Sequence, residues 1–152
     1  MSKLRRMRLR QLDQQLVAKS NRPLEVPSQG WISTLRNALG MPLYVLASRL
    51  NMTPTGAKRL EQREADGSIT IQVLRKAAEA MDMRLEYVLV PKDGSLQKLI
   101  ERRALEVARE LVERTDQSMR LEDQAVSRER FAEAIKEKAE ELQRELSKEL
   151  WR

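Results

Sequence analysis

The sequence predicts a mainly α-helical protein with one short strand and a long C-terminal helical extension. Apolar residues recur every three to four positions along most of its 152 residues, which is the spacing of one helix face. Glycine and proline, five residues of each, stand mainly between these periodic segments, where they begin or end helices. With two Trp, two Tyr and one Phe, and with 34% charged residues, the helices are expected to bury a small core.

The first predicted element is a basic helical arm over residues 1–22. Seven basic residues and one acidic residue lie in it, so it carries the whole net charge of +6, and residues 23–152 are neutral overall. Such a concentration of positive charge favours a polyanionic partner, either nucleic acid or an anionic surface. An extended linker over residues 23–30, which contains Pro23 and Pro27, is expected to follow.

Residues 31–91 are predicted to form a domain of four short helices and one short strand. Gly40 ends the first helix, Pro42 opens the second, Thr53 caps the third, and Thr70 caps the fourth.

The strand is predicted over residues 84–90, where the helical rhythm gives way to a period of two. Leu85, Tyr87 and Leu89 share one face of this strand, and Pro91 ends it. The aromatic residues Trp31 and Tyr87 are both expected to lie in the core. Because a lone strand needs a partner, two partners remain open, namely a second copy of the chain across a dimer axis or another protein.

Residues 92–152 are predicted to form a C-terminal helical region. A long helix capped by Ser95 runs to about Arg114, a polar break covers residues 115–125, and a last helix starts at Ser127. The apolar stripe of the last helix, which includes Leu142, Leu146 and Leu150, is expected to pack within the chain or on a dimer mate, with contact to a different protein as a third possibility.

A helix-turn-helix is predicted within residues 46–61. Leu46 and Leu50 can face the core, and Ala47 is small enough for two helices to cross closely. Asn51 can take the left-handed backbone conformation that a turn requires. In this motif the second helix is offered to the major groove of DNA.

Residues 31–81 resemble the lambda-repressor-like (XRE) class of helix-turn-helix proteins, whose fold is a helical bundle. A closer resemblance covers most of the chain and is to the family called mobile mystery protein A. It rests on five segments, Pro27–Ile32, Gly67–Ile71, Leu74–Ala80, Tyr87–Pro91 and Met119–Gln124. The resemblance implies an antitoxin and DNA-binding transcriptional repressor that neutralises a Fic/DOC-domain (AMP-transferase-like) toxin by direct binding and represses its own operon. The implied partners are the toxin and the double-stranded DNA of the operator that controls this operon. A homodimer is expected as well, because paired recognition helices read pseudo-palindromic half-sites.

Mapped onto this chain, the resemblance assigns DNA contacts to the predicted recognition helix. It implies that Thr55, Lys58 and Arg59 read bases and that Thr53 and Gln62 contact phosphates. The chemistry agrees, because Arg or Lys can hydrogen-bond guanine O6 and N7, and Thr can touch a thymine methyl group.

The arginines of the basic arm are a second set of candidate DNA contacts, to phosphates or in the minor groove. They are Arg5, Arg6, Arg8 and Arg10. The same arm could instead be a solvated helix, or it could dock on the toxin.

Two prolines depart from the lambda-repressor-like pattern. Pro42 and Leu43 stand where the class has a polar residue followed by Gln, and Pro54 replaces a polar side chain at the start of the recognition helix. These departures keep an alternative open, in which the chain is an antitoxin or adaptor that acts only through protein interactions and no longer reads DNA.

Ser118 and Glu122 form a candidate toxin-inhibition motif. Many Fic inhibitors carry Ser or Thr, three residues, Glu, then Gly or Asn, and the Glu pairs with an arginine of the toxin's nucleotide pocket. This chain matches except at Asp123. The alternative is a surface loop with a capping Ser.

The composition excludes several kinds of chemistry. Without cysteine or histidine the chain cannot form disulfides, Cys/His zinc sites or Ser-His-Asp triads, although carboxylates alone could still hold a metal or act as acid and base. No glycine-rich phosphate-binding loop is present, and no catalytic residue, metal or cofactor is expected. No membrane span or secretory signal is recognised, so a cytoplasmic protein is expected.

Overall fold

The computed structural model describes the backbone of residues 2–121 and 127–152, and the side chains of residues 3–118 and 127–152. The mainly helical class is confirmed, because these residues form seven α-helices and one 3-10 helix. They are α1 (Ser2–Ser20), α2 (Trp31–Ala38), α3 (Leu43–Arg49), α4 (Pro54–Asp66), α5 (Ile71–Ala80), α6 (Leu96–Leu121), α7 (Arg128–Glu145) and the 3-10 helix (Lys148–Trp151). None of the helices described here is both long enough and apolar enough to cross a membrane.

The chain divides into two compact units. Residues 24–87 form one of them, with α2 to α5, and we call it the four-helix unit. The described parts of residues 1–23 and 88–152 form the other, which we call the α1–α6–α7 unit. The basic arm therefore belongs to the same unit as the C-terminal helices.

The core of the four-helix unit comes from all four of its helices. Its buried apolar side chains are Ile32, Leu46, Leu60, Ala77 and Met81. A four-residue connection, residues 50–53, joins α3 to α4, and Asn51 within it has the predicted left-handed conformation, with φ 53°. The N–H of Met52 donates to the carbonyl of Ala47 at 3.0 Å, which closes the turn.

Three sequence predictions about this region need correction. No residue of the described chain lies in a strand, and residues 84–90 have no neighbouring segment with which to form a ladder. Tyr87 is 67% exposed and is not a core residue. Trp31 is 38% exposed, because it occupies the first position of α2 and only part of its ring is covered.

The core of the α1–α6–α7 unit lies mainly between α6 and α7. Its buried side chains are Ile100, Ala104, Val107, Ala108, Ala139, Leu142 and Leu150. Leu142 of α7 and Leu150 of the 3-10 helix belong to the predicted apolar stripe, so these residues pack within the chain, which is one of the three predicted arrangements. Arg103 donates two hydrogen bonds, of 2.9 and 2.7 Å, to the carbonyl of Leu150 and so holds the chain end on α6.

Helix α1 is anchored to α6 by a hydrogen-bonded carboxylate. The N–H groups of Leu96 and Gln97 donate to Oδ1 and Oδ2 of Asp13 at 2.6 and 3.1 Å. These are N–H groups of the first turn of α6, which have no partner inside the helix. Leu9 also packs against the core of this unit. The arm is thus a docked helix whose basic side chains project from an anchored backbone.

Helix α6 extends past its predicted end at Arg114 and reaches Leu121. The polar residues that predicted a break are accommodated within the helix. Thr115 Oγ1 and Ser118 Oγ each donate to the carbonyl four residues earlier at 3.1 Å, so both hydroxyl groups are satisfied without ending it.

An ion-pair cluster lies near the start of α6 and consists of Arg102 with Asp93 and Glu106, which we call the Arg102 cluster. Nε and Nη1 of Arg102 lie 2.8 Å from the carboxylates of Asp93 and Glu106. Hydrogen bonds from Arg102 lower the pKa of both carboxyl groups below their usual values of 3.8 and 4.5. The same bonds raise the pKa of the Arg102 guanidinium group.

Candidate nucleic-acid interface

Helix α4 is defined by sequence signals at both ends. Oγ1 of Thr53 accepts a hydrogen bond from the N–H of Gly56 at 3.1 Å, which confirms Thr53 as the cap. Pro54 occupies the first helical position, where a missing N–H costs little. Gly67 ends the helix in the left-handed conformation, with φ 81°.

The inner side of α4 is fixed to α2 by a buried ion pair. Nε of Arg36 lies 2.5 Å from Oε1 of Glu61, and Nη2 lies 3.4 Å from Oε2, so the contact is two-pronged. The Glu61 side chain is 2% exposed and that of Arg36 is 11% exposed. Arg36 also donates from Nη1 to the carbonyl of Met41 at 3.0 Å. Together with the buried Ala57 and Leu60, this pair fixes the inner side of α4.

A second acidic residue of α4 caps α2. Oε1 of Glu64 accepts from the N–H of Ile32 at 2.8 Å, at the positive end of α2. The carboxylate can approach because residue 30 is glycine. A Cβ there would lie 2.8 Å from Cδ of Glu64, and Gly30 has φ 81°, a conformation that L-residues avoid.

The structure brings four of the predicted contact residues together on the outer face of α4. Thr55, Lys58, Arg59 and Gln62 are all exposed, and their spacing of three, one and three residues places them side by side. We call this set the α4 face. Thr53 is exposed as well, but its hydroxyl group is already engaged as the cap.

The α4 face is basic, and the ammonium group of Lys58 lies near a buried carboxylate. Nζ of Lys58 lies 3.8 Å from Oε2 of the buried Glu61, while its side chain remains 57% exposed. Arg59 and Arg63 line a shallow depression of about 380 Å³ beside the face. Sequence reasoning missed Arg63, although its position four residues after Arg59 on the same helix was a signal.

The carboxyl group of Asp66, at the end of α4, has a lowered pKa. Hydrogen bonds from Ser68, first from its side chain and then from its N–H at 2.9 Å, lower the pKa of the Asp66 carboxyl group. The bonds favour the charged form of that group. A negative charge therefore lies near the C-terminal end of the α4 face, and it persists to a lower pH than that of an ordinary Asp.

The remaining predicted site residues lie in the α1–α6–α7 unit. The arginines of the arm are exposed on α1, and they are Arg5, Arg6, Arg8 and Arg10. Ser118 is a residue of α6, and its hydroxyl group is bonded within that helix. Glu122 lies outside the described residues, so the geometry of the inhibition motif is not seen.

Comparison with known proteins adds no further assignment. The sequence matches no protein-family model, and neither a curated protein nor a solved structure is similar to it. In the described part of the chain, no group of three or more acidic side chains is arranged to hold a metal ion. The case for function therefore depends on the residues of the α4 face and on the way in which α4 is held.

Proposed function

We propose that this chain is a DNA-binding antitoxin and transcriptional repressor that represses its own operon and neutralises a Fic/DOC-domain toxin. In this proposal α3 and α4 are the helix-turn-helix of a lambda-repressor-like bundle, and the protein acts without enzymatic activity as a cytoplasmic homodimer. The observation that carries the proposal is the α4 face. Four polar or basic side chains project together from a helix that follows a tight turn and is fixed from behind by a buried ion pair.

The chemistry of the α4 face suits the major groove. Lys58 and Arg59 supply donors for the O6 and N7 acceptors of guanine, and the methyl group of Thr55 can contact thymine. Gln62 can donate to a phosphate from its amide group. Thr53, whose hydroxyl oxygen accepts the cap bond, retains its O–H as a donor to phosphate.

A gel shift with DNA from upstream of the chain's own gene tests this function. Lys58→Ala/Arg59→Ala should lose sequence-specific binding, since one good two-pronged interaction with a base is worth about 1–3 kcal/mol of discrimination. The control is Arg75→Ala/Lys76→Ala, which removes the same two charges from exposed positions of α5. If both variants lose affinity equally, net charge and not the α4 face accounts for binding.

The arm arginines are proposed to add sequence-independent attraction to phosphates. Because α1 is anchored through Asp13, deleting the arm would also disturb the α1–α6–α7 unit, and charge neutralisation is the cleaner test. Arg5→Gln/Arg8→Gln/Arg10→Gln should lower the slope of log affinity against log salt by about 0.9 for each phosphate that the arm no longer neutralises. Sequence preference should remain. An unchanged slope together with a loss of toxin binding would assign the arm to the toxin.

A second function, an antitoxin or adaptor that binds only protein, is favoured by the two prolines. Pro42 precedes α3 and Pro54 opens α4, so neither residue offers an N–H to a phosphate at a helix start. This alternative predicts no DNA binding even at low salt. It predicts stable co-purification with the product of the adjacent gene.

The inhibitory role of Ser118 and Glu122 has its own test. The Glu122→Ala protein should still bind the Fic-type partner but should no longer inhibit the partner's ATP-dependent modification activity. Complete inhibition by this variant would remove Glu122 from the proposal, without bearing on the α4 face.

A further inference from the structure

Residues 84–90 form an open segment with unusually exposed apolar side chains. They lie in no helix, turn or bend, and none of them has a positive φ. Leu89 is 88% exposed, and Tyr87, Val88 and Val90 are exposed as well. At its start the segment is held by Met83, which packs against the core of the four-helix unit.

The backbone of this segment is available for pairing. Its N–H and C=O groups make no hydrogen bond to the backbone of any other described residue. The side chains of Arg84 and Glu86, two residues apart, form an ion pair of 2.8 Å. Side chains two residues apart lie on the same side of an extended strand, so the pair fits a strand-like conformation.

We propose that residues 84–90 pair antiparallel with the same residues of a second copy of this chain, about a two-fold axis at Tyr87. A two-fold axis places Tyr87 opposite its own mate and Leu85 opposite Leu89 of the second copy. One face of the ribbon then consists only of apolar side chains, which are the pairs that stabilise a sheet. A second copy of the chain fits this segment, because its own residues 84–90 have the same alternation and so place apolar side chains opposite apolar side chains.

Charge excludes two of the neighbouring registers, and chain geometry excludes the others, including an axis at Leu85 that would place Arg84 opposite Glu86. An axis at Arg84 or Glu86 would put like charges directly opposite each other, which is destabilising. An axis at Leu85 would run the ladder into Asp82, whose φ is 57°, and would leave Leu89 uncovered. An axis at Val88 or Leu89 would draw in Pro91, which has no N–H to give.

The strand pairing would supply an interface for the proposed homodimer. It rests on the proposed function only because a dimeric repressor needs such an interface. The interface itself requires no DNA. A failure of pairing and a failure of DNA reading would therefore appear in different experiments, the first in the cross-linking below and the second in the gel shift of the α4 variants.

The absence of cysteine from the sequence makes disulfide cross-linking a clean test on the full chain. In Tyr87→Cys the two thiols would lie directly opposite, where Cβ atoms are about 4.5–5.5 Å apart, close to the span of a disulfide. In the control Leu89→Cys, the mates would be four residues out of register, about 13 Å apart along the strands. Oxidation in a glutathione buffer, followed on non-reducing gels, compares the two.

We expect Tyr87→Cys to form linked dimers at least about tenfold faster than Leu89→Cys, because an adjacent thiol has an effective concentration far above that of the bulk protein. The double variant Leu85→Cys/Leu89→Cys should also link. Equal rates for the two single variants, or a Tyr87→Cys protein that stays folded by circular dichroism but is not linked, would overturn the proposal.

Discussion

The buried Arg36–Glu61 pair gives the most demanding test of how α4 is held. Glu61→Ala would leave the guanidinium group of Arg36, which is 11% exposed, with the carbonyl of Met41 as its remaining described partner. Breaking a buried ion pair by removing one partner costs about 3–5 kcal/mol. A loss of that size is a large part of the stability of a single small domain.

The assay is urea unfolding followed by tryptophan fluorescence. The two tryptophans lie in different units, so a Trp151→Phe background leaves Trp31 as the reporter of the four-helix unit. With a slope of about 1 kcal/mol/M for a small domain, a loss of about 3–5 kcal/mol should move the urea midpoint of Glu61→Ala down by about 3–5 M, or leave the unit unfolded in water.

A matched double variant separates loss of the pair from loss of volume. Arg36→Met/Glu61→Leu replaces both charges by apolar groups, which is often neutral or stabilising. It should therefore recover most of the stability that Glu61→Ala loses. A loss below about 1 kcal/mol for Glu61→Ala, or a double variant worse than the single one, would refute the account of α4 positioning.

Three further predictions concern the glycine beneath α2, the anchor of α1 and the behaviour in acid. Gly30→Ala should lower the free energy of unfolding by about 1–3 kcal/mol, measured by thermal unfolding. The loss should exceed that of Gly40→Ala, because both glycines have positive φ but only a Cβ at position 30 would meet a carboxylate. Asp13→Ala should lower the free energy of unfolding of the α1–α6–α7 unit by about 1–2 kcal/mol, followed by Trp151 fluorescence, and no loss would mean that the Asp13 carboxylate does not anchor α1. Because the pKa of each carboxyl group in the Arg102 cluster is lowered on folding, the cluster contributes stability above pH 4.5 and loses it as pH falls through the lowered values. Below pH 4.5 the free energy of unfolding should therefore fall less steeply with decreasing pH for Arg102→Gln than for the unaltered chain. Identical curves for the two proteins would contradict this.

Local signals in the sequence predicted much of the fold. Thr53 and Thr70 each cap a helix as predicted, since a cap needs only a hydroxyl group and an N–H two or three residues later. The last helix begins one residue after Ser127, where its start was predicted. The left-handed Asn51 and the exposed α4 face likewise follow from residue type and helical spacing.

The features that escaped prediction depend on distant parts of the chain. Asp13 looked like one acid in a basic arm, but it caps a helix that begins 83 residues later. The burial of Glu61 with Arg36 follows only from the packing of α2 on α4, which local residue patterns do not define. The alternation over residues 84–90 predicted a strand, but period two does not supply the second strand that a ladder needs.

The specificity ratio of DNA binding shows whether the α4 face reads bases. Affinity for DNA upstream of the chain's own gene is measured against a scrambled duplex at one fixed salt concentration, for the unaltered chain and for Lys58→Ala/Arg59→Ala. We expect a large ratio for the unaltered chain. Its free-energy equivalent should fall by about 1–3 kcal/mol for each base that Lys58→Ala/Arg59→Ala no longer reads, while Arg75→Ala/Lys76→Ala should keep it. A ratio near one for the unaltered chain, or one unaffected by the α4 substitutions, would contradict the claim that this face reads DNA.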